Sequence, residues 1–303
     1  VPGTLVVSIT PGSYDIMPAG ATNMSEERDE PLLVDALVAE LEGDRAQEAG
    51  VFTLARDVAQ EKLQEFQLPD PTYYVLLLVQ VAVMRGSARV DLSIDEERVW
   101  MEFGGEPFTV EDFDHLYGAV LGDSNDPRVA SRKALALAMG AATKLDLRGF
   151  TVVSSSGDDA AQLTLDAQGE DHFSAVEAPR NGTRIEVRRK CRLAPPEYAV
   201  LRERCRYSPV PVVVNGENIS RGLKLTRAVA VVPVARGGAH GRAGYLPWLT
   251  HQAELRIVRH GVLLNPILLE ARPGFVALVE APALRLDLSQ FDVLRDEAFE
   301  AVE

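Results

Sequence analysis

The chain has 303 residues, 46% hydrophobic and 25% charged, an ordinary balance for a globular protein long enough for about two domains. Its 45 acidic and 31 basic residues give a formal net charge of −14, which disfavours nucleic acid as a general partner because phosphate neutralisation needs clustered Lys and Arg. Two cysteines are too few for a disulfide scaffold, no Cys or His pair has zinc spacing, and no run of about 18 apolar residues is present to cross a bilayer.

Residues 1–20 lack a basic leader and an uninterrupted apolar segment, so a signal peptide is not expected and the cytoplasm is the default location. Residues 1–24 read as a tail. In 30–42, Leu32, Leu33, Ala36, Leu37 and Leu41 fall close to one helical face, and Pro31 suits the first turn. Thr53 is a plausible N-cap for a second helix, which stops at Pro69-Asp70-Pro71. The next helix, from Tyr74 onward, is apolar on every side, as a buried helix is.

Residues 88–94 and 98–103 alternate like two strands around Asp95-Glu96-Glu97. Thr109, with Asp112 three residues on, predicts a capping box and a helix through Phe113, which Asp123 to Pro127 breaks. A further helix is expected over 127–144, a hairpin over 150–166 across Gly157-Asp158, and a strand over 184–189. Helices followed by an antiparallel sheet make residues 25–192 a two-layer α/β sandwich, and the fold class α+β.

The composition shift at Ala194-Pro195-Pro196 marks the start of a second domain, 193–303. It opens with a helix over 197–206 and a Pro-Val-rich strand entering an Asn215-Gly216 turn, then alternates short apolar runs with Gly and Pro, which predicts a β-rich unit. The glycine-rich run 236–244 lacks the Gly-Lys-Ser/Thr ending of a phosphate loop. It reads as a hairpin loop whose Arg236 and Arg242 are candidates for partner contact.

Arg184, Arg188, Arg189 and Lys190, continued by arginines up to Arg206, form the basic concentration of an acidic chain. Strand alternation sets Arg184, Arg188 and Lys190 on one side and Arg189 on the other. The group reads as a solvated face, with docking to an acidic protein partner as the functional alternative. Cys191 and Cys205 read as small buried hydrophobes, and the five histidines are scattered without metal or triad spacing.

Four short elements recur in a meaningful order. The apolar helix runs through Leu77, Val81 and Val83 to Met84-Arg85 and a Gly86-Ser87-Ala88 turn; a strand ends at Phe103-Gly104-Gly105; Ala138 to Thr143 includes Gly140; and another strand opens Gly182-Thr183. This order and spacing resembles the GHKL superfamily of ATPases, in its Hsp90-like branch. The helix after Pro195 and the strand into Asn215-Gly216 are similar, over about 25 residues, to the start of the Hsp90 middle segment.

The resemblance implies a nucleotide-binding sandwich, yet the polar groups are missing. The general-base position falls on Leu77, the magnesium-binding asparagine on Val81, and the acids that follow on Val83 and Met84. The adenine-binding aspartate falls on Gly104, with its glycine kept as Gly105. The phosphate loop keeps Gly140 and Thr143 but has Ala138 as its first position, and Thr183 survives in the last strand.

Valine offers no oxygen to a hard cation, and a lost buried carboxylate forfeits roughly 1.5 to 3 kcal/mol of adenine recognition. The expectation is therefore no catalytic residue, no metal and no cofactor. The chain would be a pseudo-ATPase acting as a scaffold, adaptor or chaperone-like protein-binding module, with homodimerisation open and no role for nucleic acid or membrane. The alternative is a divergent ATPase using ATP and Mg, with Glu102 or Glu106 moved into replacement roles.

Overall fold

The computed structural model describes residues 68–120, 124, 126–157, 159–176, 181–191, 193–247, 252–287 and 290–302. All belong to the unit Phe52–Glu303. The expected tail 1–24 and the helices over 30–42 and after Thr53 lie outside the described residues.

Asp70 opens the described chain by accepting a hydrogen bond from Thr72 N at 2.8 Å, which starts a short 3₁₀ turn at Pro71. The turn leads into α1, Tyr74–Met84, which has no hydrophilic face: its first nine residues are all buried, Gln80 included. Next come β1, Val90–Ile94, and β2, Arg98–Phe103, an antiparallel pair as the alternation predicted. The capping box of Thr109 and Asp112 then starts α2, Val110–Asp114. Asp126 caps α3, Pro127–Ala142, with proline at its first position.

Four strands follow: β3, Leu147–Ser156; β4, Asp159–Leu165; β5, Asp171–Ala175; and β6, Gly182–Arg189. After α4, Pro196–Arg204, come β7, Val212–Val214, and β8, Glu217–Asn218, joined across Asn215-Gly216. The sheet order is β5-β4-β3-β6-β2-β1-β7-β8, antiparallel throughout except for the β1–β7 pair. Strand β7 lies beyond the composition shift at Ala194, yet pairs Val90 with Val212 and Leu92 with Val214.

One face of this sheet carries Leu92, Met101, Phe150, Val152, Leu163 and Ile185, which share a core with α1 and α3. Fully burying a side chain of this kind contributes about 1.5 to 3 kcal/mol. Helices on one face of a predominantly antiparallel sheet make the protein α+β.

The second sheet consists of β9, Val229–Arg236; β10, Ala239–Tyr245; β11, Glu254–Arg259; β12, Val262–Leu263; β13, Ile267–Leu268; and β14, Phe275–Glu280. Its order is β12-β11-β14-β10-β9, with β13 on β11. The final helix, α5, Glu297–Val302, sets Phe299 into the core of this sheet.

The glycine-rich run is not a loop. Residues 239–245 form β10, between β14 and β9, and only Gly237 and Gly238 turn the hairpin. Glycine here serves close strand packing: a Cβ on Gly241 would strike the Leu278 carbonyl of β14. A second correction concerns Cys191, which is exposed, with its sulfur 3.6 Å from Glu96 Oε2; Cys205 is buried as expected.

Candidate functional site

The turn after β2 docks on the end of α1. Glu106 N donates to the Arg85 carbonyl at 2.8 Å, and Gly105, at φ +97°, approaches that carbonyl so closely that any Cβ would collide with it. The Arg85 side chain then turns inward and is wholly buried. Its Nε donates to Ser131 Oγ on α3 at 2.8 Å, and its Nη1 to Pro107 O and to Asp112 Oδ2, each at 3.2 Å.

Phe108 closes the arrangement. Its ring lies 3.8 Å from the Arg85 guanidinium carbon and stacks on Phe113 at 5.5 Å. Asp112 serves the capping box and the guanidinium with the same oxygen, and its other oxygen is 3.6 Å from Arg132 Nη1. Burial pulls Arg85 below the usual arginine range, and Asp112 pulls it back. Removing Asp112 would leave the Arg85 guanidinium buried without its counterion, a cost of about 3 to 5 kcal/mol, whereas removing Arg85 would leave Asp112 only the longer contact to Arg132.

Leu77, Val81 and Ala138 are fully buried on α1 and α3, where they are hydrocarbon core, while Val83 is half-buried at the end of its helix. Ala138, Gly140 and the residues up to Ala142 are helical, and Thr143 spends its hydroxyl on the Gly140 carbonyl at 2.7 Å. Gly104, Gly105, Thr183 and Arg184 do come together. They line an open groove of about 450 Å³ at the Gly86 turn, helped by the register that sets Phe103 opposite Thr183.

The Thr183 hydroxyl faces inward. It lies 2.7 Å from Ser154 Oγ, which also accepts from Phe108 N at 2.7 Å. Glu102 pairs with Arg184 at 2.8 Å on the half-exposed side of the sheet, and Asp91, the other carboxylate lining the groove, pairs with Arg89 at 2.7 Å.

The proposed partner-binding arginines separate. Arg188 and Lys190 are exposed, and Lys190 pairs loosely with Asp146 at 3.8 Å, whereas Arg189 is buried against Glu197 at 3.4 Å. Arg236 stands opposite Ala239 and Arg242 opposite Pro233, which places the two arginines on opposite faces of the second sheet.

A second cavity, about 310 Å³, lies where α1 and α3 meet the second sheet. Gln80 and Met84 of α1 line it together with Lys133 of α3, Arg259, His260 and Arg285. None of its described lining residues is acidic. Gln80 is 2% exposed, and its amide Nε2 has no hydrogen-bond partner among the described residues. Burial, with Arg259 alongside, pushes the His260 imidazole down to about 4, so at neutral pH it is an uncharged member of the wall.

Sequence reasoning missed both constellations. Arg85 could have been found as the lone cation ending an apolar helix, but its partner Asp112 was already explained by helix capping. Arg259 and Arg285 carried no signal, because only the second sheet's placement brings them to the cavity that Gln80 lines.

Among the described residues, Asp166, Glu170 and His172 approach one another at the exposed β4–β5 turn. Asp166 Oδ1 already accepts from Gln168 N and Glu170 N, an ordinary turn role. No helix among the described residues is long and apolar enough to cross a membrane. No protein-family model and no curated protein matches the chain.

Proposed function

We propose that the chain is a non-catalytic, Hsp90-like protein of the GHKL type, a cytoplasmic scaffold, adaptor or chaperone-like binding module whose partners are proteins, a second copy included. The observation that carries this reading is the Arg85 guanidinium, packed between Phe108, Asp112 and Ser131 behind the Gly104-Gly105 turn. A side chain held by three hydrogen bonds and a stacked ring belongs to the core and not to the open groove beside it. Leu77 and Val81, wholly buried in hydrocarbon, offer neither a general base nor an oxygen to magnesium.

Calorimetry of the full chain with Mg-ATP tests this. No saturable heat that depends on Gly140 is expected at millimolar nucleotide. Micromolar binding, with turnover abolished by substitution at Gly140, would overturn the reading.

One observation favours the ATP-using alternative. The groove at Gly104, Gly105 and Thr183 is open, and Glu102 lines it. On that reading Glu102→Gln abolishes turnover of Mg-ATP.

A further inference from the structure

A third recess lies on the far side of the sheet's edge, at the end of α4. About 240 Å³ in volume, it offers roughly the room of eight water molecules in the liquid. Arg202 and Arg206 approach it from α4 and the turn that follows, and Arg221 and Lys224 from the loop after β8. The single described carboxylate in its wall, Glu217, already accepts from the Tyr198 hydroxyl at 2.7 Å. Four cations against one carboxylate is a local excess of three in a chain whose formal net charge is −14.

This concentration is built into the backbone. Arg221 N donates to the Arg206 carbonyl at 2.8 Å, which ties the loop to the helix end and sets the two arginines side by side. The Arg206 guanidinium lies 4.7 Å over the Tyr207 ring, and Arg256 fixes that ring by donating to its hydroxyl at 3.1 Å. Stacking therefore holds Arg206 in place before any ligand arrives. Its Nε is buried and has no hydrogen-bond partner among the described residues. A buried guanidinium N–H of this kind is unfavourable until an acceptor reaches it.

We propose that the recess is an acceptor site for a phosphate monoester group. A carboxylate satisfies one guanidinium fork, whereas a phosphate dianion presents three terminal oxygens and matches several forks at once. The volume admits the phosphate and the first atoms of its carrier. The same chemistry is presented by free phosphate compounds and by a phosphorylated serine of a partner protein. This assignment is independent of whether the chain binds nucleotide.

The test titrates the full chain, in chloride buffer, with inorganic phosphate and with one short serine peptide in its phosphorylated and unmodified forms. Saturable binding of phosphate or the phosphopeptide, but not of the unmodified peptide, is expected, weakening as salt rises. Arg206→Gln and Arg221→Gln should each weaken it by about ten- to hundredfold, the value of one or two charged hydrogen bonds. Arg221 and Lys224 are exposed, so Arg221→Gln and Lys224→Gln keep the test valid if Arg206→Gln unfolds. A phosphopeptide that binds at least about tenfold tighter than free phosphate identifies a protein-borne source, and equal affinities identify a small molecule. Absence of saturable binding, or affinities unchanged in Arg221→Gln and Lys224→Gln, overturns the proposal.

Discussion

Arg85 and Phe108 meet with the guanidinium carbon 3.8 Å above the ring centroid, entirely inside the protein. The contact joins the last turn of α1 to the start of α2, and Ser131 ties both to α3. Replacing Arg85 with alanine leaves Asp112 only its longer contact to Arg132 and opens a cavity over Phe108, so a loss of about 3 to 5 kcal/mol is expected in urea unfolding. Arg85→Met with Asp112→Asn removes both charges while keeping volume, and should cost less than either single change. A double variant less stable than either single would contradict this account.

Arg189 and Glu197 form a second buried pair among the described residues, with Tyr74 donating to Glu197 Oε1 at 3.3 Å. Glu197→Ala should destabilise by about 3 to 5 kcal/mol. The exposed pair of Arg89 and Asp91 is closer, at 2.7 Å, yet Arg89→Gln should leave the denaturation midpoint almost unchanged, because water already solvates both groups. Chemical denaturation of the two variants side by side decides whether burial or distance sets the ranking.

Gly104 and Gly105 are neighbours with opposite tolerances. A Cβ at Gly104 meets nothing within 4 Å, whereas at Gly105 it collides with the Arg85 carbonyl at φ +97°. Gly105→Ala is expected to lose about 1 to 3 kcal/mol, and Gly104→Ala less than about 0.5 kcal/mol. Equal melting temperatures for the two variants would refute the described turn.

His260 makes stability depend on pH. Its imidazole falls from the ordinary 6.5 to about 4 on folding, so the unfolded chain binds more protons between those values. Its contribution is complete above about pH 6.5 and is lost as the pH falls towards about 4, by up to about 3 kcal/mol. His260→Asn suits the left-handed backbone at φ 48° and removes the titration. Urea midpoints at pH 7.5 and pH 5 should therefore differ less in the variant than in the parent chain.

Much of the first sheet is legible in the sequence. Alternation located β1, β2 and β6, the Thr109 capping box located α2, and the Asn215-Gly216 turn located the β7–β8 hairpin. Strand β5 escaped because Asp171, His172 and Ser174 are polar and largely exposed at the sheet edge, without a buried period to read. Glycine composition in β10 suggested a loop because sequence shows residue type but not the nearness of the Leu278 carbonyl. At the site, the four glycine and hydroxyl positions were visible as a pattern. Their separation was not, since Thr143 turning back on Gly140 and Thr183 turning towards Ser154 are decided by local hydrogen bonds.

The parallel pairing of β1 with β7 has a consequence for the order in which the chain can be completed. A ribosome that has released residues up to 192 has made β1 but not the strand that covers its outer edge. Until residue 214 emerges, the Val90 to Leu92 backbone is an open ladder next to a hydrophobic face, the kind of edge that recruits a foreign strand. A fragment cut at the proline junction should aggregate, and one extended through Asn218 should stay dispersed. The first sheet is in that sense finished by residues that follow its apparent end.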